Sequence, residues 1–321
     1  MRFLLGMDEA GYGPNLGPLV IAATAWQIPR VLETEALYEA LAEVVCCHAS
    51  HAGDERLAIA DSKQLYKPGG SLAALERSVL AALAWLARLP TAWRELWPQI
   101  DSQHGDAWHA LAWHQGYDEA VPIHVPAGEL ARLAPMLAQG CRQRGVQLID
   151  LQAAVLVPRQ FNELVERCGN KAEVLSLTTL ALARRMIERL PSPEPVQVVC
   201  DRHGGRARYA ALLQHVFPES LVAVRQETAE LGVYELRCDG RPAEFRFLVK
   251  GERMLPTALA SMTAKYLREL AMRPFNAFWK GHVPGLRATA GYPSDAHRFR
   301  AEIQAMQRKL NIADRDLWRD R

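Results

Sequence analysis

Acidic side chains follow two apolar segments of the chain, and their type and placement could support metal-dependent chemistry. Asp8 and Glu9 follow the apolar run at residues 3–7, and Asp201 ends the run at residues 196–201. Open α/β sheets build their sites at the carboxyl ends of strands, so we expect these acids to share a site. Carboxylates suit Mg²⁺ or Mn²⁺, and two such cations about 3.5–4 Å apart can activate water and stabilise the leaving oxygen in phosphodiester cleavage.

The adjacency of Asp8 and Glu9 limits how they can cooperate. Neighbouring residues of a strand point to opposite faces, so both reach one site only where the strand ends or bulges. Gly11 and Gly13 follow closely and would let a backbone or a phosphate approach. The alternative is a pair of acids in a solvated turn.

The apolar pattern predicts a mixed α/β fold that would position these acids. Runs at residues 3–7 and 18–26 flank a Gly- and Pro-rich turn at 11–18, which predicts an antiparallel pair of strands. Further strands are predicted at 148–158, 196–200, 221–225, 234–238 and 244–249, and helices at 71–89, 171–190, 207–217, 255–272 and 295–310.

A stretch rich in tryptophan and proline interrupts this alternation. It carries Trp93, Trp97, Trp108 and Trp113, which we interpret as a small core of its own rather than as base-stacking surfaces. We therefore divide the chain into a core (1–66 and 147–250), an inserted subdomain (67–146) and a helical C-terminal part (251–321). The last part is expected to complete the active site and the substrate surface.

Composition indicates a globular protein. Of 321 residues, 49% are apolar and 23% are charged, and no apolar run approaches the roughly 20 residues of a membrane helix. The N-terminus does not resemble a secretory signal, and the six cysteines form no C-x-x-C pair. We therefore expect a cytoplasmic location, reduced thiols, no membrane association and no zinc site.

Charge is unevenly distributed along the chain. Residues 1–240 hold 22 basic and 28 acidic side chains, whereas residues 241–321 hold 16 and 8. The C-terminal excess could meet a polyanion, or it could be an ordinary solvated helical surface.

Several ordered motifs resemble those of the type 2 ribonucleases H, the ribonuclease HII and HIII group. The segment DEAGYGPNLG at residues 8–17 is similar to the opening signature of that family. Further similarities follow in the family's order: DSKQL at 61–65, the strand ending at Asp201, KGE at 250–252, ASMTAKYLRE at 260–269, and GYPS at 291–294 with His297. They span nearly the whole chain except residues 67–146.

The resemblance implies a ribonuclease H-like fold with a mixed five-stranded sheet flanked by helices. It implies cleavage of the RNA strand in RNA–DNA hybrids, or of ribonucleotide-containing DNA, leaving a 5′-phosphate and a 3′-hydroxyl. The residues that it implies as catalytic groups and as ligands of two divalent cations are Asp8, Glu9, Asp201 and Glu269. The residues that it implies as substrate contacts are Gly11, Tyr12, Gly13, Lys63 and Tyr292.

The sequence departs from the family at two of these positions. Glu269 stands where the family usually has Asp, and its alternative role is an exposed partner of Lys265 one helical turn earlier. Tyr12 stands where ribonuclease HII has Arg, and a tyrosine lacks the planar fork of donors that an arginine offers. The departures bear on metal binding and on the recognition of a single ribonucleotide.

We therefore expect a Mg²⁺- or Mn²⁺-dependent endoribonuclease of the ribonuclease H type. Two alternatives are a hybrid-binding protein of the same fold that has lost its chemistry, and a nuclease acting on another nucleic acid. No protein partner can be deduced from the sequence.

Overall fold

A seven-stranded mixed sheet forms the centre of the protein. The computed structural model describes residues 1–49, 53–67, 69–101, 108 and 110–320. The strands of this sheet are β1 (Arg2–Ala10), β2 (Leu19–Ile28), β5 (Gln147–Leu156), β6 (Val196–Asp201), β7 (Ala223–Glu227), β8 (Leu231–Cys238) and β9 (Arg241–Leu248), and a separate short pair consists of β3 (Val45–Cys46) and β4 (Leu57–Ala58).

The strand order of the sheet is β5-β2-β1-β6-β9-β8-β7. β1 runs antiparallel to β2, and β2 antiparallel to β5, whereas β1, β6 and β9 run parallel to one another. The predicted mixed α/β class is confirmed, and the sheet has the seven strands that the apolar pattern predicts rather than the five that the resemblance implies. β8 and β7 extend it, because the Asp239-Gly240 turn folds β8 back onto β9 and β7 pairs with β8.

The register of β1 explains how two neighbouring acids can face one site. β1 pairs with β2 as far as Ala10, whereas its parallel pairing with β6 stops at Met7, opposite Cys200. Asp8 and Glu9 therefore lie in the part of β1 that has lost one neighbouring strand. Asp201, the residue after Cys200, lies at the same edge.

Helices cover the sheet and its flanks. In chain order they are α1 (Leu37–Ala40), α2 (Ser62–Leu65), α3 (Ala73–Trp85), α4 (Trp93–Ile100), α5 (Ala127–Gln143), α6 (Pro158–Cys168), α7 (Lys171–Glu188), α8 (Ala210–Val216), α9 (Leu255–His282), α10 (Pro293–Lys309) and α11 (Asp314–Leu317). One core packs α3, α5 and α9 against one face of the sheet, and a second packs α7 and α8 against the other. None of the helices in the described ranges is long and apolar enough to cross a membrane.

α9 carries the motif at residues 260–269 and packs directly on the acid-bearing strand. A Cβ on Gly6 of β1 would lie 2.1 Å from the carbonyl carbon of Pro256 in α9. In addition, the Thr24 hydroxyl donates to the carbonyl oxygen of Pro256 at 2.9 Å. Since only a glycine leaves room for this contact, Gly6 sets the distance between α9 and the strand that ends in Asp8 and Glu9.

The tryptophan-rich stretch is tied to α9 as well as to itself. Trp93 has edge-to-face ring contacts with Trp97 and Trp108, and its indole N–H donates to the carbonyl of Leu270 at 3.1 Å. That carbonyl lies four residues before Pro274, which has no N–H to donate to it within the helix. The indole therefore replaces the hydrogen bond that Pro274 removes from α9.

A buried carboxylate provides a second tie between the insertion and α9. Glu76 of α3 has no exposed surface. Its two carboxylate oxygens accept hydrogen bonds from the backbone N–H groups of Ile123, His124 and Val125 and from the Tyr266 hydroxyl. The proposed division at residues 67 and 146 remains a prediction, because these contacts join the insertion to α9 without marking a boundary.

Candidate active site

A cavity of about 330 Å³ opens where β1 and β6 end. It brings together three of the four predicted acids, four of the five expected substrate contacts and three residues from nearby helices. The acids are Asp8, Glu9 and Asp201, the expected contacts are Gly11, Tyr12, Lys63 and Tyr292, and the others are Ser62, Ser261 and Lys265. Gly13 adjoins this cavity, since a Cβ at that position would lie 3.9 Å from the Tyr292 ring.

The two neighbouring acids are crowded by burial and by negative charge. Burial, with the charges of Asp201 and Glu252, raises the pKa of Asp8 to about 7, against hydrogen bonds from Ser261 and from the Glu9 N–H that lower it. Burial and the charge of Asp8 hold the pKa of Glu9 well above its usual range. Like charges gathered in a partly desolvated pocket are costly unless a cation compensates them.

Asp201 is fixed by the segment that follows β9. Its Oδ1 accepts a hydrogen bond from the Gly251 N–H at 2.9 Å. A Cβ on Gly251 would lie 3.0 Å from the Asp201 nitrogen, so this segment approaches the end of β6 more closely than a larger residue allows. The carboxylate of Asp201 is thereby oriented from outside its own strand.

Glu252 is a fourth acid near this site, although it does not line the cavity, and its charge acts on Asp8 and Lys63. The motifs of the sequence did not assign it a role. Burial raises its pKa, as do the charges of Asp201 and Asp61. Its Oε2 is buried and accepts no hydrogen bond from the part of the chain that the structure describes. The signal was present in the KGE motif at residues 250–252, where an acid follows the glycine that packs on Asp201.

Glu269 does not join the other acids. It lines a neighbouring cavity, and its carboxylate accepts hydrogen bonds from the Lys265 ammonium at 2.6 Å and the Tyr66 hydroxyl at 3.0 Å. The structure therefore does not bring the expected fourth ligand to the acids, because the Glu269 side chain is held by these two partners. Lys265 and Tyr66 themselves line the cavity of the acids.

Lys63 is held beside the acids by the short helix α2. The Asp61 side chain caps α2 by accepting from the Lys63 N–H at 3.0 Å, and the Ser62 hydroxyl lies 3.1 Å from that of Ser261. Burial alone would lower the pKa of Lys63, but the charges of Asp61, Glu252, Asp8 and Asp201 outweigh it and raise this pKa. Lys63 is therefore a cation at the edge of an acidic cavity.

Tyr12 and Tyr292 present aromatic surfaces at the cavity. Tyr292 is 44% exposed, and the Lys171 ammonium lies 4.8 Å from the centre of the Tyr12 ring. Burial and the Glu9 charge raise the pKa of Tyr12, and the Arg206 charge, which acts in the opposite direction, has the smaller effect. A basic side chain therefore stands beside Tyr12, although the expected arginine is missing from the loop itself.

The donor chemistry of the site suits hard divalent cations, although its side chains do not form a closed set of ligands. In the ranges that the structure describes, no three His, Cys, Asp or Glu side chains form a ready metal site. Glu252 nevertheless has a buried carboxylate oxygen without a hydrogen-bond partner, and crowding raises the pKa values of Asp8 and Glu9. A bound cation would neutralise these carboxylates. All four candidate ligands are carboxylates, which Mg²⁺ and Mn²⁺ prefer.

Comparison with known proteins finds similarity only at the level of structure. No protein-family model matches the chain, and no curated protein sequence matches it. Ribonuclease HII from Archaeoglobus fulgidus, solved in complex with PCNA, is 15% identical with a TM-score of 0.40, over 99% of this chain and 94% of its own. Ribonuclease H2 from Pyrococcus horikoshii is 15% identical with a TM-score of 0.43, over 98% and 92%. Bst ribonuclease HIII in complex with Mn²⁺ is 14% identical with a TM-score of 0.41, over 99% and 66%.

These identities and TM-scores carry no information about the activity of this chain. The chain has a mixed α/β sheet, and the order of its motifs resembles that of the type 2 ribonucleases H.

Proposed function

We propose that this protein is a divalent-cation-dependent endonuclease that hydrolyses the RNA strand of RNA–DNA hybrids and leaves a 5′-phosphate and a 3′-hydroxyl. The observation that carries the proposal is the meeting of Asp8, Glu9 and Asp201 in one cavity at the ends of β1 and β6. The proposed substrates are RNA–DNA hybrids and ribonucleotide-containing DNA. The proposed location is the cytoplasm.

The proposed ligands are Asp8, Glu9, Asp201 and Glu252, with Glu252 in the place first expected for Glu269. Two Mg²⁺ or Mn²⁺ ions bound there would activate water and stabilise the leaving oxygen of the phosphodiester. Ser261 and the Glu9 N–H both donate to Asp8 and favour its charged form, which is the form that binds a cation. The Gly251 N–H donates to Asp201 Oδ1 and orients that carboxylate.

The other residues of the cavity are proposed to hold the substrate. Lys63 and Lys265 supply positive charge for phosphates of the scissile strand. Gly11 and Gly13 allow the loop backbone to approach the ribose, where the 2′-hydroxyl distinguishes RNA from DNA. Tyr12 and Tyr292 supply flat surfaces for a sugar or a base beside the acids.

The test is cleavage of labelled nucleic acids by the folded protein with Mg²⁺ or Mn²⁺. The panel contains an RNA–DNA hybrid, a DNA duplex with one ribonucleotide, a plain DNA duplex and a single strand. We expect cleavage of the RNA strand of the hybrid, and its loss in Asp8→Asn with hybrid binding retained. Glu166→Gln, which changes an exposed acid on α6, serves as the control.

Each other outcome of the panel contradicts the proposal in a different way. Salt-sensitive binding of the hybrid without cleavage under either cation would indicate a binding protein that has lost its chemistry. Cleavage of plain DNA in preference to the hybrid would indicate a nuclease with another substrate. Equal activity of Asp8→Asn and Glu166→Gln would show that the acids of the cavity have no role in cleavage.

A further inference from the structure

Two buried arginines hold the glycine-rich loop between β1 and β2 from within the protein. Arg268 of α9 is 1% exposed, and Arg319 near the C-terminus is 2% exposed. Both guanidinium groups donate to backbone carbonyls of the loop at residues 11–18. Arg319 lies outside every motif that the sequence shares with the ribonucleases H.

Arg268 holds the far end of the loop. Its Nη1 donates to the carbonyl of Pro18 at 2.8 Å, and its Nη2 donates to those of Leu16 at 3.3 Å and Ala290 at 2.8 Å. Ala290 precedes the segment that carries Tyr292. One guanidinium therefore joins two segments that line the cavity of the acids.

Arg319 holds the near end of the loop, where the expected substrate contacts lie. Its Nη2 donates to the carbonyls of both Gly11 and Pro14, which bracket Tyr12 and Gly13. Its backbone N–H donates to the carbonyl of Asn15 at 2.8 Å. The loop is thus fixed on both sides of Tyr12 by one residue.

The position of Arg319 is itself determined by its neighbours. Asn162 of α6 donates to the carbonyl of Trp318 and accepts from the Asp320 N–H, each at 2.8 Å. The guanidinium lies 4.9 Å from the centre of the Phe161 ring. These contacts hold the residues on either side of Arg319 while its side chain reaches inward.

The charge of Arg319 is not balanced by an acid. No ion pair is found for it in the described part of the chain, where its Nε and Nη1 are buried without a hydrogen-bond partner. The charge that acts on it is the positive charge of Arg268. Burying a guanidinium without an acidic partner is unfavourable, so a neutral side chain that donated to the same carbonyls would be more favourable for folding alone.

We propose that Arg319, acting with Arg268, is a positioning residue that fixes the Gly11–Pro18 backbone so that Tyr12 and the adjacent N–H groups meet the RNA strand. The proposal rests on the proposed function for its substrate. Its structural consequence, an ordered loop, is independent of any activity. Because the contacts are made to the loop backbone and not to the acids, cation binding does not depend on Arg319.

The experiment compares Arg319→Gln and Arg319→Lys with the wild type, and uses Arg315→Gln as a matched control. Arg315 is exposed and lies in the same C-terminal segment. Glutamine keeps a donor but removes the charge, and lysine keeps the charge but removes the planar fork. We measure the melting temperature, amide hydrogen exchange of residues 11–18, and kcat and KM on the hybrid.

For Arg319→Gln and Arg319→Lys we expect faster exchange at residues 11–18 and a KM raised roughly tenfold or more, because misplacement of a positioned group is costly. In Arg319→Gln the melting temperature changes little, since removal of a desolvated charge offsets the loss of its hydrogen bonds to the loop. A purely structural role predicts instead that stability and activity fall together, and that result would overturn the proposal. Unchanged exchange at residues 11–18 in both variants would overturn it as well.

Failure of the proposed function can be recognised separately. If the wild type cleaves no hybrid, the exchange and melting measurements still report whether Arg319 orders the loop. If the wild type cleaves and both Arg319 variants match Arg315→Gln in KM and exchange, only the positioning role is wrong.

Discussion

The raised pKa of Asp8 shows that gathering acids at the proposed site reduces the stability of the folded protein. Burial and the charges of Asp201 and Glu252 raise its pKa to about 7, compared with 3.8 for an ordinary aspartate. Between these values the folded protein holds a proton that the unfolded chain has lost. This group therefore contributes stability below about pH 4 that is lost as the pH rises toward 7.

Replacing Asp8 should therefore stabilise the protein while removing its activity. In the absence of divalent cations at pH 7–8, we expect Asp8→Asn to raise the free energy of unfolding by about 1–3 kcal/mol, because a crowded charge is removed. Urea unfolding in EDTA at several pH values measures this effect. The gain should vanish near pH 4, and a variant that is less stable than the wild type at pH 8 would contradict this explanation.

Glu252 and Glu269 should be separable by their effects on cation binding. Glu252 has an unpartnered oxygen beside the acids, whereas Glu269 holds Lys265 and Tyr66. We expect Glu252→Gln to weaken Mn²⁺ binding by roughly tenfold or more, as loss of a ligand does. Glu269→Gln should leave Mn²⁺ binding unchanged. It should raise KM for the hybrid, since the ion pair that holds the Lys265 ammonium in position is lost. Calorimetric titration of both variants decides between the two acids, and the reverse pattern would restore Glu269 as the ligand.

Among the elements of the fold, α9 is the helix on which the site depends. It packs on β1 at Gly6, carries Ser261 and Lys265 to the cavity, and holds the loop through Arg268. It continues through Pro274 because the Trp93 indole donates to the carbonyl of Leu270. The tryptophan-rich stretch thus supports the helix beyond the proline.

Removing that indole N–H should destabilise the protein. We expect Trp93→Phe to lower the free energy of unfolding by about 1–3 kcal/mol, because the buried Leu270 carbonyl loses its donor. Trp97→Phe is the matched control, since the Trp97 indole N–H has no hydrogen-bond partner among the described residues. Equal losses in the two variants, measured by urea unfolding, would show that ring packing alone matters.

The sequence predicts most of these elements, because apolar periodicity reports which face of an element is buried. The predicted helix at 171–190 is observed as Lys171–Glu188, and the paired runs at 3–7 and 18–26 form β1 and β2. The prediction for α9 ends at residue 272, since a proline two residues later normally ends a helix. The compensating donor, Trp93, lies 177 residues earlier in the chain than Leu270, so no local pattern reveals it.

The site was predicted less completely than the fold, and the reason is long-range packing. The meeting of Asp8, Glu9 and Asp201 could be predicted, because the local sequence and the sheet order indicate where strands end. The motifs of the sequence point to Glu269 and assign no role to Glu252, because spacing along a helix does not show which partner holds a side chain. Only the contacts of Glu269 with Lys265 and Tyr66 reveal that it faces another cavity.

Across the described part of the molecule, some of the C-terminal basic side chains are already paired with acids. Ion pairs join Arg273 to Glu119 and Arg300 to Asp314 at 2.5 and 2.6 Å. Other basic groups of residues 241–321, such as Arg298 with Asp295, pair within their own helix. The number of basic side chains in this region therefore overstates how many are free to contact phosphates, and we expect Lys63 beside the cavity to matter more.

The salt dependence of hybrid binding should reveal which basic side chains contact phosphates. Each phosphate contact contributes a slope of roughly −0.7 to −0.9 to log K against log salt. In EDTA, we expect Lys63→Gln to reduce the magnitude of that slope by about one contact, and Arg300→Gln to leave it unchanged. Fluorescence anisotropy of a labelled hybrid gives both slopes. A smaller slope in Arg300→Gln alone would indicate that the hybrid binds away from the cavity.

Anomalous diffraction from crystals grown with Mn²⁺ would show whether the acids at the ends of β1 and β6 form a cation site. We predict Mn²⁺ bound by Asp8 and Asp201, with Glu9 and Glu252 completing the ligand set. A cavity without Mn²⁺ at saturating concentration, or Mn²⁺ bound by Glu269 without Asp201, would contradict the proposed site.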